Sequence, residues 1–133
     1  MTTHTVFVVD DDEPVRESLR MLLGRRGLAV RCYASADAFM RQADLDDCGC
    51  LLIDHHMPSM TGIELLEMLR ARRIATPAII MTGGTDLRLG ARAGKADALA
   101  VLEKPIVSIE LLAWIELALA QSAAKPLDGS RAA

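Results

Sequence analysis

Residues 5–16 read Thr5-Val6-Phe7-Val8-Val9-Asp10-Asp11-Asp12-Glu13-Pro14-Val15-Arg16, and the two halves of this stretch obey different periodicities. The first five residues form a continuous apolar run rich in β-branched side chains, the mark of a strand buried on both faces. Pro14 suits the first turn of a helix, and apolar residues then fall at Val15, Leu19, Leu22 and Leu23 until Gly27 closes the segment. Four acidic residues, Asp10, Asp11, Asp12 and Glu13, stand where strand hands over to helix.

The alternation continues in both senses of the pattern. Strands are expected over residues 28–33, 50–54, 78–82 and 99–103, and helices over about 35–43, 62–73, 86–95 and 108–122. Thr61 and Glu64 have the spacing of a capping box at the start of the third helix, and Arg70, Arg72 and Arg73 suit the negative end of its dipole. Five strand–helix units of this kind imply an α/β fold: a parallel sheet covered by helices on both faces, with right-handed crossovers. In such sheets ligands bind outside the carboxyl ends of the strands. There the sequence places Asp10, Asp11, Asp12 and Glu13 after the first strand, Asp54 at the end of the third, Thr82 before Gly83-Gly84 at the end of the fourth, and Lys104-Pro105 after the fifth.

Composition narrows the class. A chain of 133 residues is one domain, and 51% hydrophobic against 25% charged residues is the balance of a globular core, which aromatics at 3% leave to aliphatic side chains. Lys and Arg number 15 against 18 Asp and Glu, a net charge of −3, so no direct contact with nucleic acid is expected. No apolar run approaches the roughly 20 residues of a membrane span, so no membrane partner is expected either. Cys32, Cys48 and Cys50 are an odd number in a chain that opens without a basic stretch and long apolar segment, which suggests a reduced, cytoplasmic protein. Cys48-Gly49-Cys50 with His55 and His56 lacks the two separated ligand pairs of a structural zinc site and reads as buried thiols and loop histidines. Residues 123–133 read as a tail or linker.

Carboxylates crowded at one sheet edge repel each other, and a divalent cation relieves that repulsion; Mg²⁺ is held by one or two carboxylates with waters and phosphate oxygens. A lysine and a hydroxyl beside it can hold the remaining phosphoryl oxygens, and an aspartate can act as nucleophile to give an acyl phosphate. Taken singly, the Asp run could open a helix, Asp54 could cap a turn and Lys104 could be a solvated surface residue. Their joint placement at strand ends points to phosphoryl transfer.

The segments Val8-Val9-Asp10-Asp11, Leu52-Ile53-Asp54-x-x-Met57-Pro58-x-Met60-x-Gly62, Met81-Thr82-Gly83 and Glu103-Lys104-Pro105 resemble, in order and spacing, the receiver domain of two-component response regulators, over about residues 5–121. The stretch from Val9 to Arg16 looks most like receivers of nitrogen-fixation-type transcriptional regulators with a LuxR-like helix-turn-helix output. The resemblance implies a flavodoxin-like receiver fold over residues 1–122: a doubly wound, five-stranded parallel sheet in the order 2-1-3-4-5. It implies that Asp54 is the phosphoacceptor, that Asp11 binds Mg²⁺ directly with Asp10 assisting, and that Asp54 and the backbone carbonyl of His56 complete the protein ligands. Thr82 would bond a phosphoryl oxygen, Lys104 would pair with it, and the Lys104-Pro105 peptide would be cis. Asp12 and Glu13 match no ligand of the family and are assigned to the helix start.

By the same resemblance the donor would be a histidine kinase or phosphotransfer protein, with the receiver catalysing its own phosphorylation and slow dephosphorylation without being a conventional enzyme. The face made by the fourth helix, fifth strand and last helix would serve a homodimer or effector partner; Trp114 and Leu117 lie outside the apolar stripe that the last helix turns to the sheet. Three positions depart from the family: Val101 replaces the usual aromatic of the fifth strand, Asp97 the usual glycine of a turn, and Ala100 the usual acidic residue after it. Without that aromatic, movement on phosphorylation is expected in residues 83–90. Two functions follow: a stand-alone receiver or partner-binding module, or the N-terminal regulatory domain of a DNA-binding regulator. A hydrolase with an aspartate nucleophile would want an acid two residues after it, where His56 stands.

Overall fold

The computed structural model describes residues 5–84 and 87–124. Strand β1 (Thr5–Val9) leads through α1 (Glu13–Arg25) to β2 (Ala29–Tyr33); α2 (Ala36–Gln42), a 3-10 turn (Leu45–Asp47), β3 (Cys48–Asp54), α3 (Gly62–Ala71), β4 (Ala78–Thr82), α4 (Leu87–Lys95), β5 (Ala100–Glu103) and α5 (Ser108–Ala124) follow. All strands run parallel in the order β2-β1-β3-β4-β5, the order expected from the resemblance.

The sheet separates two cores, and the alternation of side chains along each strand sorts residues between them. Phe7 and Val9 of β1 join Leu51 and Ile53 of β3, Ile80 of β4, Phe39 of α2 and Ile63, Leu66 and Leu69 of α3. Val6 and Val8 face the other way, with Leu52, Ile79 and Met81, against Leu19 and Leu23 of α1 and Leu111, Ile115 and Ala118 of α5. Both cores are mainly aliphatic, yet Phe7, Tyr33 and Phe39 form one aromatic cluster with ring centroids 5.4 to 6.5 Å apart.

Several local expectations hold in detail. Pro14 lies in the first turn of α1, and Gly27 takes a left-handed φ of 77° just past its end. Thr61 and Glu64 close the capping box, with bonds of 2.8 and 3.3 Å. Asp97 has a φ of 58°, a conformation in which an aspartate substitutes tolerably for glycine.

Strand β2, at one edge of the sheet as the order 2-1-3-4-5 implies, is less covered than β1, β3 and β4, and only Tyr33 within it is buried. Other expectations need correction. Strand β3 begins at Cys48 rather than residue 50, because Cys48 already pairs with Thr5. Helix α3 stops at Ala71, since Arg73 turns to a φ of 64°. Asp12 is the N-cap of α1, but its side chain makes no capping bond. Helix α5 continues to Ala124, two residues into the expected tail, whose remainder lies outside the described residues.

Arg70 does more than complement a helix dipole. Its guanidinium donates to the carbonyls of Ala96 (2.7 Å), Ile74 (2.8 Å), Thr76 (2.9 Å) and Asp97 (3.1 Å), tying the end of α3 to the loops that precede β4 and β5. Half-burial pushes the Arg70 pKa down while Asp97 opposes the change. Arg70→Met leaves these carbonyls short of donors and is expected to cost about 2 kcal/mol. Urea unfolding measures it; an unchanged midpoint would contradict this role.

Candidate functional site

Four strand ends meet at one edge of the sheet. Because β3 lies between β1 and β4, Asp54 has the β1 acids on one side and Thr82 on the other, with the β5 end one strand further. Asp10, Asp54 and Thr82 are buried at 0%, 2% and 0% exposure, whereas Asp11 is exposed. The expected site residues Asp10, Asp11, Asp54, His56, Thr82 and Lys104 are therefore all brought to this edge.

Lys104 reaches back across β4. Its ammonium lies 2.7 Å from Asp54 Oδ1 and 3.8 Å from Asp10 Oδ2, and its backbone N–H donates to Thr82 O at 2.7 Å. The Lys104-Pro105 peptide is cis. Burial alone would pull the Lys104 pKa down, but the contact with Asp54 and the negative charges of Asp54 and Asp10 outweigh it and hold the ammonium above its ordinary range. Burial pushes the Asp10 carboxyl up; the Asp12 N–H, which donates to Asp10 Oδ1 at 2.9 Å, opposes the shift and Asp54 adds to it.

The donor set fits a hard divalent cation. Carboxylate oxygens of Asp10, Asp11 and Asp54 lie within 4.8 Å of one another. Asp10 Oδ2 is buried with no hydrogen-bond partner, an arrangement that costs free energy unless a cation meets it. All three are oxygen ligands, which suits Mg²⁺ rather than a softer metal. Among the described residues this is the one group of three acids, histidines or cysteines gathered closely enough to hold a metal. Cys48 and Cys50 accordingly remain buried thiols; burial lifts Cys48 to about 12 and Cys50 further still.

Two participants were not legible in the sequence. Arg16 of α1 donates to the carbonyl of Asp10 at 2.7 Å and so helps fix the end of β1. His56, expected to offer only its backbone carbonyl, places its ring Nε2 3.1 Å from Thr82 Oγ1, 26 residues away. Seeing that contact requires the pairing of Asp54 with Met81, which sets His56 beside the end of β4. The loop after β4 is described only in part, since residues 85 and 86 of the expected moving segment 83–90 lie outside the described residues.

Comparison with known proteins agrees with this geometry. Residues 6–116 match the family model of the response regulator receiver domain. The chain is 42% identical over 118 residues to the transcriptional regulatory protein FixJ of Rhizobium meliloti (strain 1021), covering 89% of this chain and 58% of that protein. It is 41% identical over 103 residues to the C4-dicarboxylate transport transcriptional regulatory protein DctR of Rhodobacter capsulatus, covering 76% of this chain and 52% of that protein. The chain thus spans little more than half the length of these relatives. Among solved structures, the response regulator StyR superposes with a TM-score of 0.86 at 41% identity, over 92% of this chain and 62% of that one. The crystal structure of FixJ-N superposes with a TM-score of 0.82 at 38% identity, over 96% of this chain and all of that one.

Proposed function

The chain belongs to the family of response regulator receiver domains, and from that premise we infer that it takes a phosphoryl group from a histidine kinase or phosphotransfer protein onto Asp54. The observation that carries the reading is the setting of Asp54: a carboxylate at 2% exposure, paired at 2.7 Å with Lys104 and clustered with Asp10 and Asp11. A carboxylate oxygen of Asp54 attacks phosphorus, the P–N bond of the donor phosphohistidine breaks, and the imidazole leaves with the bonding pair and takes up a proton. Asp10, Asp11, Asp54 and the His56 carbonyl would hold Mg²⁺, which when bound offsets the charge of the carboxylates and phosphoryl oxygens. Lys104 transfers its contact from Asp54 to a phosphoryl oxygen, and the Thr82 hydroxyl donates to another. Hydrolysis of the acyl phosphate then resets the site, so the domain catalyses its own modification and its slow reversal.

Incubation with phosphoramidate or acetyl phosphate and Mg²⁺ tests this: the intact mass should rise by one phosphoryl group, and a chelator should suppress the gain. A chain that gains no mass refutes the assignment.

The partner follows from the same reading. A groove of about 390 Å³ between α1 and the β5–α5 loop, lined by Pro14, Val15, Leu22, Pro105 and Ile106, opens beside Lys104 and suits the apolar surface of a phosphodonor protein. No helix of the described residues is long and apolar enough to cross a membrane; a cytoplasmic setting is part of the proposal. The output is assigned to a partner or second copy at the face of α4, β5 and α5, where Leu87, Ile109 and Leu117 are exposed while Trp114 packs partly onto the core. The relatives named transcriptional regulators favour a second form of this output, a regulatory domain that controls a DNA-binding effector. Sedimentation should show a larger species with beryllofluoride and Mg²⁺ than without, and Leu117→Lys should reverse it; a sedimentation coefficient unmoved by beryllofluoride would exclude the second copy as the output partner.

A further inference from the structure

Four hydrogen bonds hold the acidic turn after β1. The Asp10 N–H donates to Tyr33 O at 3.1 Å, and Asp10 Oδ1 accepts the Asp12 N–H at 2.9 Å. Arg16 of α1 supplies the other two: Nη1 donates to Asp10 O at 2.7 Å, and the backbone N–H donates to Asp12 O at 3.1 Å. Strand β1 makes its last pairs with β2 and β3 at Val9, so Asp10 O lies past the end of the ladder, in a residue of 0% exposure. A buried carbonyl beyond the ladder needs a donor from elsewhere, and the half-buried guanidinium provides it.

Asp11 stands between two peptides that are held in this way. The one before it is fixed through Asp10 O by Arg16, and the one after it through the Asp12 N–H by Asp10 Oδ1. Asp11 is exposed, yet its carboxylate lies within 4.8 Å of those of Asp10 and Asp54. The charge of Arg16 does not favour a metal there, because a cation beside a Mg²⁺ site repels the ion. Its contribution is placement. We propose that Arg16 is a positioning residue for the metal site, clamping the Asp10-Asp11 peptide so that both carboxylates meet one Mg²⁺. The proposal rests on the reading of Asp10, Asp11 and Asp54 as a Mg²⁺ site, and goes beyond it by making metal affinity depend on a side chain outside the ligand set.

The test is a Mg²⁺ titration of the full chain, followed by amide shifts in NMR with no phosphodonor present. Arg16→Met should bind Mg²⁺ about tenfold more weakly, the low end of the loss when a group that orients metal ligands is removed. Arg16→Gln, two bonds shorter and unable to reach the carbonyl, should be equally weak. Arg16→Lys, which keeps a donor on a stem of similar length, should recover most of the affinity. Arg20→Met removes the same charge one turn further along α1, where Arg20 pairs with Glu17, and should leave the affinity unchanged. The melting temperature of Arg16→Met should fall in any case, because a buried carbonyl loses its donor; metal affinity is the quantity that a merely structural role would not move. If wild type binds Mg²⁺ and Arg16→Met binds it as well or better, the clamp is refuted and the metal site stands. If Arg16→Lys stays as weak as Arg16→Met, a donor at this carbonyl is not what counts, and the proposal is also overturned. If wild type shows no saturable Mg²⁺ binding, the metal site itself fails, and the clamp with it.

Discussion

Asp54→Asn is expected to abolish phosphoryl uptake completely while leaving the fold in place. Three carboxylates cluster here, but their surroundings differ. Asp10 is wholly buried and has one oxygen occupied by the Asp12 N–H, and Asp11 is exposed. Asp54 alone ends the central strand with Lys104 in contact, so its oxygen has both a cation and the acidic cluster beside it. Asparagine keeps the shape but supplies no anionic oxygen, and the acyl phosphate cannot form. Intact mass after incubation with phosphoramidate should show no added phosphoryl group in the variant, and peptide mapping of wild type should place the group on the segment containing Asp54. Labelling of the variant at the wild-type level would transfer the role to Asp10 or Asp11. Under the proposed mechanism Lys104→Ala should weaken uptake without removing Mg²⁺ binding, because an ammonium can pair with a phosphoryl oxygen but cannot ligate a cation.

Gly62→Ala is expected to be among the most damaging single-methyl substitutions in the chain. Gly62 opens α3 immediately after the site loop, and its N–H donates to His55 O at 3.1 Å. A Cβ there would lie 2.5 Å from the Asp54 carbonyl oxygen and 3.0 Å from both Asp54 C and His55 Cα. These are backbone atoms, which cannot rotate aside as a side-chain tip can. The expected loss is about 3 kcal/mol, the upper part of the overpacking range, and a melting temperature lower by about 10 °C for a domain of this size. Relief of the clash also displaces Asp54, so phosphoryl uptake should slow in whatever fraction folds. Gly90→Ala is the control: nothing lies within 4 Å of its Cβ position in α4, and it should stabilise by about 0.5–1 kcal/mol. If Gly62→Ala melts within about 2 °C of wild type, the close approach does not constrain the loop.

Periodicity is a local property, so the strand and helix centres could be read directly from the chain. The run Thr5–Val9, the helix stripe through Leu19 and Leu23, and the capping box at Thr61 depend only on neighbours a few residues apart. The same logic placed Asp10, Asp54, Thr82 and Lys104 at strand ends, because in a parallel sheet every strand points its carboxyl end to one edge. Family motifs supplied the strand order and the cis peptide before any contact was visible.

What local pattern could not reveal depends on which strands become neighbours. The exposed character of β2 follows from its place at the sheet edge, although its composition differs little from that of a covered strand. The 2.7 Å pair of Lys104 with Asp54, and the reach of His56 to Thr82, exist because β3 and β4 pair in one register and β5 lies beside them. Arg70 looked like an ordinary helix-end cation until the loops before β4 and β5 closed around it. Gly62 stood in a recognisable motif, but the need for a missing methyl there is set by the backbone of Asp54 folding back to within 2.5 Å of the Cβ position. Sequence by itself determined which residues form the elements and which chemistry is gathered at their ends, because both arise from short-range spacing. Tertiary structure alone decided which of those groups touch, because contacts across 26 or 50 residues are made by sheet pairing and core packing, which no short window of the chain encodes.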